Sequence, residues 1–154
     1  MPEIPISTQV DRFHVPLVIY SPMLEKAEKF SAVTTHFDVT PSLLALLNGK
    51  KFIARPTAAS WIGHGLDNSV EYRNLNSYPL MRNKNELMDF IEGENYFANN
   101  TVYDLFPNMY IEPINKPDVQ NNLKEELNNF IRKNNYACEN NKLIPDSLKT
   151  WMVR

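Results

Sequence analysis

The sequence predicts an α/β fold that changes to α+β in its C-terminal part. In the first half, a strand-like apolar run precedes a leucine-rich helix, which is one arm of an α/β crossover. In the second half, several short strand-like runs at close spacing precede one amphipathic helix. We therefore divide the chain into residues 1–68, a strand and helix of an α/β domain, and residues 69–154, a small antiparallel sheet covered by a helix.

The first predicted element is a buried strand over residues 17–20. This run is apolar and contains the β-branched Val18 and Ile19, and such runs are typical of strands that are covered on both faces. Pro16 and Pro22 bound the run, which suits proline because it cannot donate to a central ladder. Its two edges, if left unpaired in the isolated chain, would favour self-association.

The second predicted element is a short helix that ends at Gly49, a residue suited to a left-handed stop. Asp38 or Thr40 can cap its N-terminus, because a short side-chain oxygen can accept an unpaired backbone N–H. Pro41 fits the first turn. The leucines at 43, 44, 46 and 47 leave little polar face, so we expect the helix to be covered on most sides.

The second half predicts an antiparallel meander and a covering helix. The expected strands are residues 78–82, 86–92 (with a short helix as the alternative), 96–98 and 101–105. The expected turns are residues 83–85, 93–95 and 99–100, which are rich in Asn and Gly. A helix should begin at Pro117 and carry one apolar stripe. The stripe consists of Val119, Leu123, Leu127, Phe130 and Ile131.

Two consecutive motifs resemble a known family. HVPLVIYSP, from His14, followed by HFDVTPSLLALLNG, from His36, is similar to the late core of sulfatase-like enzymes in the alkaline phosphatase superfamily. WIGHGLD, from Trp61, and VYDL, from Val102, look like later segments of the same family. The resemblance covers most of residues 12–135. Phosphoglycerol-transferase and lipoteichoic-acid-synthase-like members are the most similar.

The resemblance implies an incomplete enzyme. In this family the catalytic nucleophile and the metal ligands precede the first motif, and none of them has a match here. The chain is then the C-terminal portion of a metal-dependent enzyme that acts on sulfate or phosphate esters. Alone it would be inactive and without a cofactor, and its partner would be the remainder of the parent, which would hold a divalent metal. Family members of this kind are bacterial cell-envelope proteins that face the periplasm or the exterior.

Three histidines, His14, His36 and His64, are candidate functional residues. His36 is expected to be packed and hydrogen-bonded, and His14 stands where many family members have Arg. His64 lies between two glycines and is the one substrate-facing candidate, with a surface turn residue as the alternative interpretation. No spacing of these histidines suits zinc, and the acidic residues are scattered. We therefore predict no catalytic residue and no metal ligand in this chain.

Composition limits the partners. A net charge of −2 and a pI near 5.9 argue against nucleic-acid binding, which usually requires a basic patch. No apolar run is long enough to span a membrane, and the single cysteine excludes an internal disulfide. An independent, non-catalytic interaction module remains the alternative function.

Overall fold

The computed structural model describes residues 10–54, 63–81 and 86–140. A 3₁₀ turn at Val10–Phe13 precedes helix α1, and a second 3₁₀ turn, Pro107–Met109, lies between the last two strands. The helices are α1 (His36–Gly49) and α2 (Pro117–Glu139). The strands are β1 (Ser77–Met81), β2 (Leu87–Glu92), β3 (Asn95–Ala98), β4 (Thr101–Leu105) and β5 (Ile111–Ile114).

The five strands form one antiparallel sheet in the order β1-β2-β3-β4-β5, so each strand pairs with its neighbour in the chain. The pairing of Phe90 with Phe97, and of Phe97 with Val102, sets the register in the centre of the sheet. This arrangement confirms the predicted α+β class and the meander, with strand ends that differ by about one residue from the prediction.

Strand β5 was not predicted, because Glu112 and Pro113 interrupt its short apolar run. It pairs only with β4 and forms an edge of the sheet. Proline is tolerated on an edge strand, where its missing N–H need not serve a second ladder. The sequence pattern of residues 111–114 therefore argued against a strand. The position of these residues at the edge of the sheet nevertheless permits one.

The sheet buries a different set of side chains on each face, as expected from the alternation of side chains along a strand. One face carries a cluster around Tyr78, Ile91, Tyr96 and Leu105, covered by Val10 and Met109. The other face packs Phe90, Phe97 and Val102 against Leu123 and Leu127 of α2. The C-terminal part of the chain therefore has a core on both sides of its sheet.

Helix α2 begins at Pro117, as predicted, and places its apolar stripe on the sheet. Leu123 and Leu127 are buried, and Val119 and Ile131 pack partly buried beside them. Full burial of a leucine side chain stabilises the fold by about 2 kcal/mol. The opposite face is polar and exposed, which confirms the predicted amphipathic role of this helix.

The predicted buried strand at residues 17–20 is wrong for the chain as it stands. These residues form no regular secondary structure, and residues 15–20 make no backbone hydrogen bond to any described residue. The side chains of Val18 and Tyr20 are 77% and 91% exposed. A strand requires a neighbouring strand, and no part of the described chain supplies one here.

Helix α1 confirms the predicted leucine helix but begins at His36, with Thr35 as its N-cap residue. Pro41 therefore lies inside the helix and not in its first turn. The predicted left-handed stop at Gly49 is also wrong, because Gly49 is the last helical residue and the positive φ, +60°, falls on Lys51. Thr40 lies inside the helix, and Asp38 stands at the third position, where it forms a capping box with Thr35. The expected coverage is wrong: Leu43 and Leu46 are about half exposed. Contacts of α1 with the described part of the chain are concentrated at its N-terminal turn, so the apolar sides stay open.

Several predictions fall on residues outside the described ranges: the turn at 83–85, the end of the first strand at Arg82, and the start of the WIGHGLD motif at Trp61 and Ile62. The division of the chain at residue 68 stays a prediction. None of the helices in the described ranges combines the length and hydropathy needed to cross a bilayer.

Candidate functional site: the His64 loop and its cleft

His64 lies in a loop that passes directly over the N-terminal turn of α1. Gly63 has φ +85°, and a side chain there would collide with the backbone carbonyl of Phe37. Gly65 has φ +112°, a value that L side chains rarely adopt. The two glycines therefore permit both the turn and the close approach to α1, while the imidazole of His64 stays exposed.

The carboxylate of Asp38 attaches this loop to the helix. Its Oδ2 accepts hydrogen bonds from the N–H and the hydroxyl of Thr35, at 2.7 and 2.9 Å. Its Oδ1 accepts from the backbone N–H of His64 at 2.8 Å and of Gly65 at 3.3 Å. Asp38 is fully buried. The residue predicted as a helix cap therefore also positions the loop that carries His64.

Two further contacts continue this attachment. The hydroxyl of Ser42, one helical turn beyond Asp38, accepts from the N–H of Leu66 at 2.7 Å. Asp67 closes a turn by accepting a hydrogen bond from the N–H of Ser69 at 3.0 Å. Asp67 also binds the guanidinium of Arg73 through two 2.8 Å contacts, and the hydrogen bond from Arg73 lowers the pKa of Asp67.

A small cleft of about 190 Å³ lies beside His64, between the start of α1, strand β1 and helix α2. Its lining combines hydroxyls, amides, one ammonium group and one carboxylate with aromatic side chains. The polar residues of the lining are Thr35, His64, Asn76, Ser77, Tyr78, Glu126, Asn129 and Lys133. The cleft therefore brings His64 together with groups from three elements that are distant in sequence.

Two titratable groups near this cleft are perturbed by their surroundings. Burial raises the pKa of the Tyr78 hydroxyl, and the negative charge of Asp38 raises it further. Burial also raises the pKa of Glu92, and the charge of Glu126 adds to this effect. Tyr78 therefore stays a hydrogen-bond donor throughout the ordinary pH range.

The other two histidines lie apart from this cleft. His36 is exposed at the first position of α1, so the prediction of a packed, hydrogen-bonded histidine is wrong. The Nδ1 atom of His14 is buried and has no hydrogen-bond partner in the described part of the chain. Within residues 10–54, 63–81 and 86–140, no group of three His, Cys, Asp or Glu residues is placed to hold a metal ion.

Sequence reasoning named His64 as a candidate but did not indicate the residues that share its cleft. Glu126 and Lys133 are separated by seven residues on α2, which places them on one side of the helix, but nothing local indicates which element that side meets. Tyr78 has the pattern of a core residue, and it is one. Only the packing of α2 against the sheet brings these side chains to the same cleft.

Comparison of this chain with protein-family models, with curated proteins and with solved structures finds no match.

Proposed function

We propose that this chain is the C-terminal portion of a metal-dependent, sulfatase-like enzyme that acts on sulfate or phosphate esters. In this proposal the nucleophile and the metal ligands belong to the rest of the parent enzyme. The parent is a bacterial cell-envelope protein, by the resemblance of HVPLVIYSP and HFDVTPSLLALLNG to that family.

The observation that supports the proposal is a contrast between the two halves of the chain. The sheet and α2 form a core in which Tyr96, Ile91 and Leu123 are at most 1% exposed. Residues 15–20 and helix α1, by contrast, carry large apolar side chains that stay exposed. Contiguous exposed apolar surface on a soluble protein usually marks a contact site, and a run that is apolar on both faces suits the interior of a covered sheet.

The proposal assigns this chain a supporting role in the reaction. Residues 15–20 and α1 would complete the α/β domain of the parent, and the sheet with α2 would lie beside its cleft. His64 is the candidate that would face the substrate, since its loop is fixed by Asp38 and its imidazole is exposed. The described residues do not fit a metal site, so no step of the reaction is assigned to them through a metal.

The reading frame that precedes the codon for Met1 tests the proposal most directly. We expect it to stay open and to encode a Gly-Asp-His-like motif shortly upstream. An in-frame stop codon close to Met1, with no such motif nearby, would refute the proposal. In a second test, the purified chain is incubated with divalent metals and an aryl sulfate or a phosphate diester. We expect no turnover, and robust metal-dependent turnover would contradict the assignment of catalysis to the rest of the parent.

A second candidate function is an independent interaction module. The five-stranded sheet and α2 favour it, because the cluster between them, around Phe90, Phe97 and Leu123, includes no residue from the first half of the chain. The reading frame distinguishes the two candidates, since a module of this kind would not need an upstream ester-cleaving domain.

A further inference from the structure

Two glutamates are neighbours where helix α2 packs against the sheet. Glu92, the last residue of β2, lies on the face that α2 covers, because it is two residues after Phe90 and side chains alternate along a strand. Its Oε2 atom accepts a hydrogen bond from the side-chain amide of Asn122 at 3.3 Å. Glu126 follows Asn122 by one helical turn, so it lies on the same side of α2. The contact between sheet and helix therefore brings two carboxylates together.

The side of α2 that carries Glu126 lies between the core stripe and the solvent face. Its residues recur at i, i+4, i+7 and i+11, a spacing that keeps them on one side of a helix. They are Asn122, Glu126, Asn129 and Lys133. Glu126 is partly buried, whereas Glu125, its neighbour in the chain, is exposed. Glu126 and Lys133 also line the cleft beside His64, so this side of α2 forms a wall of that cleft.

The neighbouring strands bring no free positive charge to Glu92. The residues directly opposite it are Ser77 on β1 and Asn95 on β3, which are both uncharged. Asp104 lies opposite Asn95 in the same row and adds a further negative charge. The ammonium group of Lys116, at the start of α2, lies 3.8 Å from Asp104 and pairs with that carboxylate. The sheet therefore leaves the charge of Glu92 uncompensated.

The groups around Glu126 do not form an ion pair with it either. Lys133, His64 and Tyr78 line the same cleft, yet neither Glu126 nor Glu92 forms an ion pair within residues 10–54, 63–81 and 86–140. Two ionised carboxylates at such a contact repel each other, and burial disfavours the ionised form. Both effects raise the pKa of Glu92, burial more than the charge of Glu126.

We infer that Glu92 and Glu126 form a proton-dependent contact that sets how firmly the middle of α2 is held on the sheet. A protonated Glu92 has no charge that repels Glu126 and none that burial disfavours. When both groups are ionised, repulsion and burial of charge loosen this part of α2 and, with it, the wall of the cleft. This inference does not depend on the ester chemistry proposed above.

The direction of the pH dependence follows from the state in which Glu92 binds its proton more tightly. The pKa of Glu92 in the folded chain lies above its ordinary value of 4.5, so the folded state retains the proton to higher pH. The stability that this contact contributes is therefore complete below pH 4.5 and is lost as the pH rises through the folded-state pKa. Acid holds α2 on the sheet, and neutral pH loosens it.

The first experiment is a ¹³C NMR titration of the side-chain carboxyl groups in the labelled full chain. We expect Glu92 to titrate above pH 4.5. Glu126→Gln removes one charge and keeps the shape, so the pKa of Glu92 should fall part of the way towards 4.5, while burial maintains the rest of the shift. Glu125→Gln, on the exposed side of the same turn, is the matched control and should leave that pKa unchanged. A titration of Glu92 at or below pH 4.5, or equal effects of the two variants, would overturn the inference.

Native-state hydrogen exchange then measures the loosening of α2. After correction for intrinsic exchange rates, the opening constants of the amides of residues 120–127, relative to those of β3 and β4, should rise about three- to ten-fold between pH 4.5 and 7.5, since one pKa unit corresponds to a factor of ten. Glu92→Gln keeps an acceptor for Asn122 and should abolish this rise, whereas Glu125→Gln should retain it. A rise that persists in Glu92→Gln would refute the role of this carboxyl group.

Discussion

Replacement of Asp38 by alanine should release both the first turn of α1 and the loop that carries His64. One carboxylate accepts hydrogen bonds from the backbone and hydroxyl of Thr35 and from the N–H groups of His64 and Gly65. Alanine at this position can accept none of them. The substitution therefore removes a cap and a tertiary contact at once.

The expected loss is the sum of two effects. Removal of a helix cap costs about 1 kcal/mol. The N–H groups of His64 and Gly65 lose a carboxylate partner, which costs about 1–3 kcal/mol in total because the loop is only partly buried and water can replace part of the contact. We therefore expect a loss of about 2–4 kcal/mol in the local stability of α1 and the loop.

Native-state hydrogen exchange measures this loss residue by residue. The amides of residues 64–66 and of the α1 turns that follow Asp38 should exchange about 30- to 1,000-fold faster in Asp38→Ala than in the wild-type chain. The amides of β3 and β4 should be nearly unchanged, because their core does not include Asp38.

Asp118→Ala is the matched control. Asp118 lies in the first turn of α2, as Asp38 lies in that of α1, but it is exposed. Its loss should cost at most about 0.3–1 kcal/mol through the helix dipole. If Asp38→Ala leaves the exchange of residues 64–66 within the range of this control, the role assigned to Asp38 is wrong.

Further predictions concern the core, two titrations and the exposed segment. Leu127→Ala should lower the free energy of unfolding by about 2–5 kcal/mol, as measured by urea denaturation, and a loss below about 1 kcal/mol would contradict its place in the core. Arg73→Gln should return the pKa of Asp67 towards its ordinary value of 3.8. The folded-state pKa of Asp67 is the lower one, so wild-type stability from this pair is present above pH 3.8 and declines as the pH falls, whereas the variant should show a weaker decline. Burial raises the pKa of Tyr72 to about 12. The stability that depends on the protonated Tyr72 phenol is therefore complete below pH 10 and is lost as the pH rises towards 12. Tyrosinate absorbance can follow this titration. A titration of Tyr72 near pH 10 would argue against its burial. Val18→Asp should reduce self-association in light scattering without a change in stability, and unchanged association would show that residues 15–20 do not mediate it.

The C-terminal half shows how far local patterns determine structure. The strands of the meander and the start of α2 at Pro117 were predictable, because turn residues, side-chain alternation and a helical apolar stripe act over a few neighbouring residues. Strand β5 was not predictable in this way, since Pro113 disfavours a strand until a position at the edge of the sheet makes it tolerable.

The sequence by itself determined that residues 17–20 are apolar and that a capped leucine helix follows them. Only the tertiary structure decided that both stay exposed, because a strand and an apolar helix are completed by partners that local sequence does not specify. It also decided that Asp38 binds the loop of His64 and that Lys133 and Tyr78 reach the same cleft. These contacts depend on how elements pack across long separations in the chain, whereas the capping and periodicity that were predictable depend on residues a few positions apart.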